Sequence, residues 1–292
     1  MRGDPDAHEL VAPASLDAAL ELLAAAPGKW TPIAGGTELM VAHATGRLQP
    51  SKLVSLWGIR ELRFIESRSE SIVIGAGTTF TDLRARAVIE SDLPLLAKAA
   101  AWIGSIANQT RATLGGNLVN GSPAADSSPA LLVYDADVEM ISVRGSRRIS
   151  YKDFHTGYKE NALAADELVY AIHLPRRFQH HRQYLRKVGT RRAQAISKVA
   201  LAGTALLEGD VIREIHLGAA SLAPFPTRLY GTEDAISGKR VDADSIHTAR
   251  SALLAEVLPI DDIRSTAEYR RQVAANLLEE FLIGLRSPEG AR

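Results

Sequence analysis

Two short strings carry the chemistry most open to reading from residue types. In Pro32-Ile33-Ala34-Gly35-Gly36-Thr37-Glu38-Leu39 an apolar run meets paired glycines and then a hydroxyl residue, and Thr113-Leu114-Gly115-Gly116-Asn117 repeats the design. Glycine lets the backbone take φ > 0 and lets an oxygen-rich ligand approach bare N–H groups. Successive N–H groups turned into one concavity bind an anion. Two such turns converging suit a pyrophosphate. Either turn alone reads better as an ordinary tight turn; their shared form and the long polar loop after the second shift the reading toward the ligand. Ile74-Gly75-Ala76-Gly77-Thr78-Thr79-Phe80 imitates a dinucleotide fingerprint, but Phe80 stands at the third glycine position, where helix and strand must pack closely. A Walker A loop is absent.

Asp126 is a lone carboxylate in the polar loop. It suits a turn or helix cap before Ser127-Ser128-Pro129, or a ligand offering hydroxyls or a ring N–H. Between Leu168 and Leu207 there is no acid, while Arg176, Arg177, Arg182, Arg186, Lys187, Arg191, Arg192 and Lys198 all occur. That stretch reads as a solvated basic hairpin, a contact for a phosphate or electron-rich cofactor, or a docking surface for an acidic partner. The lack of interleaved aromatics and the zero net charge argue against nucleic acid. His173, His180 and His181 lie nearby without a Cys or carboxylate at ligand spacing, which argues against a metal. The chain has no cysteine, so it holds no disulfide, iron–sulfur cluster or thiolate nucleophile.

These residues need elements to position them. Ser15 caps a helix with Leu16, Leu20 and Leu23 on one stripe, ended by Pro27-Gly28. Residues 30–34 form a short apolar run into the first glycine turn, with Thr37 placed to cap the next helix. Strands are expected at 52–56 and 71–76, and helices opening at Thr81-Asp82 and spanning 95–107. Residues 108–129 read as one long functional loop. Strands come next at 137–143, 167–174, 182–188, 198–207 and 211–217. Helices close the chain at 244–257 and 265–285, the last opening with Ser265 and Glu268 in capping-box spacing. The 292 residues, 46% hydrophobic and 23% charged, suit a two-domain globular protein. No apolar stretch is long enough to span a bilayer, and the polar, acidic start Met1-Arg2-Gly3-Asp4-Pro5-Asp6 is unlike a secretory leader. A cytoplasmic location is expected.

The glycine strings, the run from Arg111 through Asn117 and on through Ser122-Pro123-Ala124-Ala125-Asp126-Ser127-Ser128-Pro129, Phe154-His155-Thr156-Gly157-Tyr158, and Lys187-Val188-Gly189-Thr190-Arg191-Arg192 with Ile196-Ser197-Lys198-Val199 together resemble the FAD-binding medium subunit of molybdenum hydroxylases. This is the xanthine dehydrogenase, aldehyde oxidase and carbon monoxide dehydrogenase family, and the likeness covers essentially the whole chain. It implies an α+β protein: a two-subdomain FAD-binding fold of the vanillyl-alcohol oxidase type over 1–175 (subdomains about 1–57 and 58–175). A smaller C-terminal antiparallel sheet with helices would complete the chain over 176–292. It implies non-covalent FAD held by Pro32, Ile33, Ala34, Gly35, Gly36, Thr37 and Glu38 around the pyrophosphate. Thr113, Gly115, Gly116 and Asn117 would lie along phosphate and ribityl, Asp126 at the adenosine or ribityl portion, Val169 near the ring, and Lys187 toward the isoalloxazine. The implied partners are a large molybdenum-cofactor subunit and a small [2Fe–2S] subunit, in a dimer of heterotrimers. Electrons would pass to NAD⁺, oxygen or a quinone. A stand-alone flavin oxidase of the same fold and a non-enzymatic docking module are the rival readings.

Overall fold

The computed structural model describes residues 4, 7–49, 52–191 and 194–286. Most of the N-terminal hexapeptide and Arg192 therefore lie outside the described residues. The chain opens with β1 (Glu9–Val11), α1 (Leu16–Ala25), β2 (Thr31–Ile33), α2 (Leu39–Ala44) and β3 (Lys52–Ser55), whose strands form a parallel sheet in the order β1-β3-β2. Ser15 caps α1 as expected, accepting from Ala18 N, and Leu16, Ala19, Leu20 and Leu23 bury its stripe. With Trp30, Val54 and Leu62 they make a small core of their own.

Next come β4 (Ile65–Ser67), β5 (Ser71–Gly75), α3 (Phe80–Arg84), α4 (Ala87–Asp92), α5 (Pro94–Ala100), α6 (Ile106–Gln109), α7 (Leu114–Val119) and α8 (Ser128–Val133). After them lie β6 (Asp137–Ser142), β7 (Gly145–Ser150), the hairpin β8 (His155–Gly157) and β9 (Glu160–Asn161), and β10 (Leu168–Pro175). The main strands form an antiparallel sheet ordered β4-β5-β10-β6-β7. β5 lies inside that sheet, which is why Ile72-Val73-Ile74 is an unbroken buried run rather than an alternating one. β7 is an edge, and its Arg147 and Arg148 are exposed, a charge pattern that discourages edge-to-edge pairing.

The region 95–129 departs from expectation. The helix expected over 95–107 stops at Ala100, because Gly104 takes φ +48° and Ser105 starts a new helix through a capping box with Asn108. The expected long loop contains α7 and the start of α8. Small residues hid them: Leu114 and Leu118 are the buried side chains of a six-residue helix, too few for a period.

The third sheet is built from β11 (Arg182–Val188), β12 (Val199–Glu208), β13 (Val211–Ala220) and β14 (Thr227–Arg228) in that order, all antiparallel. It is covered by α9 (Tyr230–Ile236), α10 (Ala243–Glu256) and α11 (Ala267–Leu285). A Cβ on Gly203, in mid-strand, would meet the Phe281 ring at 2.4 Å, so glycine there lets α11 seat on β12. The expected cap of α11 is off by one: Thr266, not Ser265, accepts from Tyr269 N. The α+β class read from the sequence is the class the chain adopts.

Candidate functional site

A cavity of about 1400 Å³ opens between the parallel sheet, α7 with the loop after it, and the loops at one end of the C-terminal sheet. Pro32, Ile33, Ala34, Gly35, Gly36, Thr37, Glu38, Thr113, Gly115, Gly116, Asn117, Asp126 and Val169 all line it. Lys187 is not in the lining; it stands behind Asp126.

The first glycine turn leaves β2 and enters α2. A Cβ on Gly35 would fall 1.7 Å from the Arg111 carbonyl oxygen, so the backbone of the first turn lies directly on the residues leading into the second. Arg111 fixes the contact, its Nε donating to Gly35 O at 3.3 Å while its guanidinium lies 3.8 Å over the Trp57 ring. Gly36 turns the chain with φ +77°. Among the described residues the backbone N–H groups of Gly36, Thr37 and Glu38 make no hydrogen bond. Three successive amides with no protein partner, on a part-exposed turn beside a large cavity, are free to meet an anion. Thr37 does not cap α2 as expected; Glu38 holds that position, without a side-chain cap bond.

The second turn is another device. Thr113 caps α7, its Oγ1 accepting from Gly116 N at 3.1 Å. Leu114 N donates to Thr78 O, Gly115 N to Ala76 O, and Asn117 N to Thr113 O, each at 2.9 Å. Neither glycine has φ > 0. The expected anion nest here is therefore corrected: a helix start has absorbed its donors. Gly115 serves closeness instead, since a Cβ would meet Ala76 at 2.6 Å. The fingerprint-like Gly75 and Gly77 likewise pack beneath the Leu62 carbonyl, at 2.5 and 2.9 Å from a would-be Cβ, and Thr79 caps α3 with Asp82.

Asp126 takes neither the turn nor the cap role. Its Oδ2 meets Lys187 Nζ at 2.5 Å and its Oδ1 accepts from Ser197 Oγ at 2.5 Å; both ionic side chains are 11% exposed. Burial pushes the Asp126 carboxyl above its ordinary range, with Lys187 and Ser197 pulling the other way. Lys187 thus has an acid that the local sequence lacks. So do its neighbours: Arg176 pairs with Asp92, Arg177 with Asp135 and Glu214, and Arg186 with Glu280. Arg182 and Arg191 are engaged too. The stretch is thus partly neutralised by acids far away in sequence, while Arg177 and Arg186 stay exposed at 46% and 57%. Asn117 accepts from Ser127 Oγ at 2.6 Å, and Val169 lines the wall next to a bulge in β10.

Several lining residues go unassigned in the sequence: Trp57, Tyr158, Lys159, Ser197 and the buried Arg270, whose guanidinium donates to Lys198 O and pairs with Asp262. Tyr158 and Ser197 lie inside the strings that carry the resemblance; Trp57 and Arg270 have no local signal.

The described parts, a small parallel sheet, an antiparallel sheet, a glycine-lined cavity and a C-terminal sheet under helices, define a class. The family model for the FAD binding domain in molybdopterin dehydrogenase matches residues 6–177, and that for the CO dehydrogenase flavoprotein C-terminal domain matches 184–285. The xanthine dehydrogenase FAD-binding subunit of Escherichia coli O157:H7 is 30% identical over 273 residues, 92% of each chain. The carbon monoxide dehydrogenase medium chain of Hydrogenophaga pseudoflava is 27% identical over 285 residues, 95% of this chain and 96% of that one. In the structure of reconstituted CO dehydrogenase from Oligotropha carboxidovorans, one chain matches with TM-score 0.90 and 25% identity over 96% of both. The chain belongs to the family of FAD-binding subunits of molybdopterin dehydrogenases.

Proposed function

We propose that this chain holds FAD non-covalently in the 1400 Å³ cavity and serves as the electron-transferring medium subunit of a molybdenum hydroxylase. The observation that carries the reading is the run of unmade amides at Gly36, Thr37 and Glu38, which fits a diphosphate. The cavity exceeds the usual ~300–1,000 Å³ of small-ligand pockets, as an extended dinucleotide requires. Pro32, Ile33, Ala34 and Gly35 carry the turn, Thr113, Gly115, Gly116 and Asn117 form the facing wall, and Asp126 and Val169 lie farther along. The bound flavin supplies the exchange between one-electron and two-electron transfer. The residues of this chain seat the cofactor, shield it and tune the charge around it. Lys187 acts through Asp126: it opposes the burial that raises that carboxyl and holds it aimed, with Ser197 as the second hold.

In this reading the large partner carries the molybdenum cofactor and oxidises the substrate, and the small partner carries [2Fe–2S] clusters. The assembly is a cytoplasmic dimer of heterotrimers, with NAD⁺, oxygen or a quinone as acceptor. Residues 1–175 form the cofactor domain and 176–292 the C-terminal domain. No helix among the described residues is long and apolar enough to cross a membrane. The test is chemical. The purified chain or complex should be yellow, and acid or heat should release FAD into the supernatant. Recovery of FMN, or of flavin bound to the denatured protein, overturns the reading.

A further inference from the structure

The hairpin of β8 and β9 turns at Tyr158 and Lys159, and both residues stand at the cavity. Lys159 takes left-handed backbone, φ +58°, a conformation long side chains rarely adopt. Its backbone packs against Gly121, just beyond α7, where an added Cβ would lie 2.9 Å from Lys159 Cα. Asn161 Nδ2 donates to Val119 O at 3.3 Å. The hairpin is thereby fixed to the second glycine segment. From there the Lys159 ammonium reaches the first, with Nζ 3.6 Å from Glu38 Oε1.

Glu38 makes that reach informative. Its N–H belongs to the run of amides free to meet an anion, while its carboxylate has the same sign as any anion seated there. A diphosphate seated there would face that like charge, and a cation at the same spot would offset it. Among the described residues four other cations line the cavity: Arg63 forks onto Asp82 at 2.8 and 2.9 Å, Arg270 and Arg264 pair with Asp262 at 2.7 and 3.4 Å, and Arg191 donates to Gln194 O at 2.6 Å. The Lys159–Glu38 pair is looser, with side chains 47% and 60% exposed, so its partners can be exchanged. Resting on the FAD reading above, we propose that Lys159 supplies the positive charge that meets the cofactor's diphosphate, leaving Glu38 when the diphosphate enters.

The test uses the full-length chain stripped of flavin and titrated with FAD and with riboflavin, which has no phosphate, by quenching of flavin fluorescence. Lys159→Gln should bind FAD about tenfold more weakly, the scale of one charge-assisted contact, with riboflavin affinity unchanged. Lys159→Arg should restore FAD binding, and Glu38→Gln should tighten it several-fold. Added salt should narrow the gap between parent and Lys159→Gln, because the interaction is half exposed. Circular dichroism establishes that each variant is folded. Parental FAD affinity in Lys159→Gln overturns the proposal; so does an equal loss for FAD and riboflavin, which would make the hairpin's shape the cause. A parent chain that does not prefer FAD to riboflavin defeats the diphosphate reading itself, and the proposal with it.

Discussion

At Gly36 the chain turns through φ +77° and, among the described residues, leaves three successive amides unmade. At Gly115-Gly116, in a string of nearly the same composition, every amide from Leu114 to Asn117 is bonded within the fold. The first turn comes after a strand of a three-stranded sheet and precedes a six-residue helix with no buried side chain. The second lies between Ala76 and the Thr113 cap, packed under the main sheet. The difference teaches that a glycine pair advertises closeness, and only the surrounding hydrogen bonds decide whether a ligand or the protein itself comes close.

The largest break should come from Gly35→Ala. The added methyl would overlap the Arg111 carbonyl at 1.7 Å, and neither backbone is the end of a flexible side chain. Separating them pulls apart the two turns, the Arg111–Trp57 stack and the cavity wall together. Overpacking alone costs ~1–3 kcal/mol, and the loss here should exceed it. The expected result is a chain that expresses poorly or melts far below the parent in a thermal scan. A soluble variant with parental Tm would show that the turns are not held against each other.

A second break tests what stands behind the second turn. Asp126 and Ser127 are adjacent in the chain, the first held by Lys187 and the second bonded to Asn117. Lys187→Met leaves a nearly buried carboxylate without its cation, which costs roughly 3 kcal/mol near neutral pH. The direction of the Asp126 shift sets the sign of the pH dependence. Burial already raises that carboxyl in the folded state, and the variant removes a group that lowers it. A folded-state pKa above the unfolded one gives stability that is present at low pH and lost as pH rises through the folded value. The gap between variant and parent should therefore be widest at neutral pH and shrink toward acid, as read by urea midpoints at several pH values. A gap that is constant or widens toward acid defeats the account.

How much of this was written in the sequence depends on range. The strand runs and the Ser15 cap are local, and the expectations for them hold; of the two glycine strings, the first makes the expected tight turn and the second is a helix start instead of a nest. α7 escapes a sequence reading because its two buried leucines lie among glycines and an asparagine. The acid for Lys187 lies 61 residues away in sequence, so no reading of 168–207 could find it. Arg270, held in the cavity lining by Lys198 O and Asp262, comes from α11, whose seating on β12 no local reading shows. Contact across sheets is a property of the packed chain, and it is also what brings distant acids to the basic stretch.

The smallest effects compare the turns directly. Gly36→Ala forces a side chain into left-handed backbone, a cost of ~1–2 kcal/mol, and disturbs the unmade amides, so stability and FAD affinity should fall together. Gly116→Ala should be close to neutral in stability. Its backbone is helical, where alanine gains up to ~1 kcal/mol over glycine, offset by the 2.9 Å approach of the new methyl to Thr113 Oγ1. Its flavin affinity should change little, since the methyl stays 4.0 Å from Ala34 Cβ on the facing turn. Gly116→Val sharpens the contrast: its extra methyl groups enter the space between Thr113 and Ala34, so FAD should be lost while the fold persists. Left-handed strain adds nothing at Gly116, because its φ is not positive. If Gly116→Val binds FAD like the parent by fluorescence titration, the second turn is a packing element alone and, of the two turns, only the first addresses the cofactor.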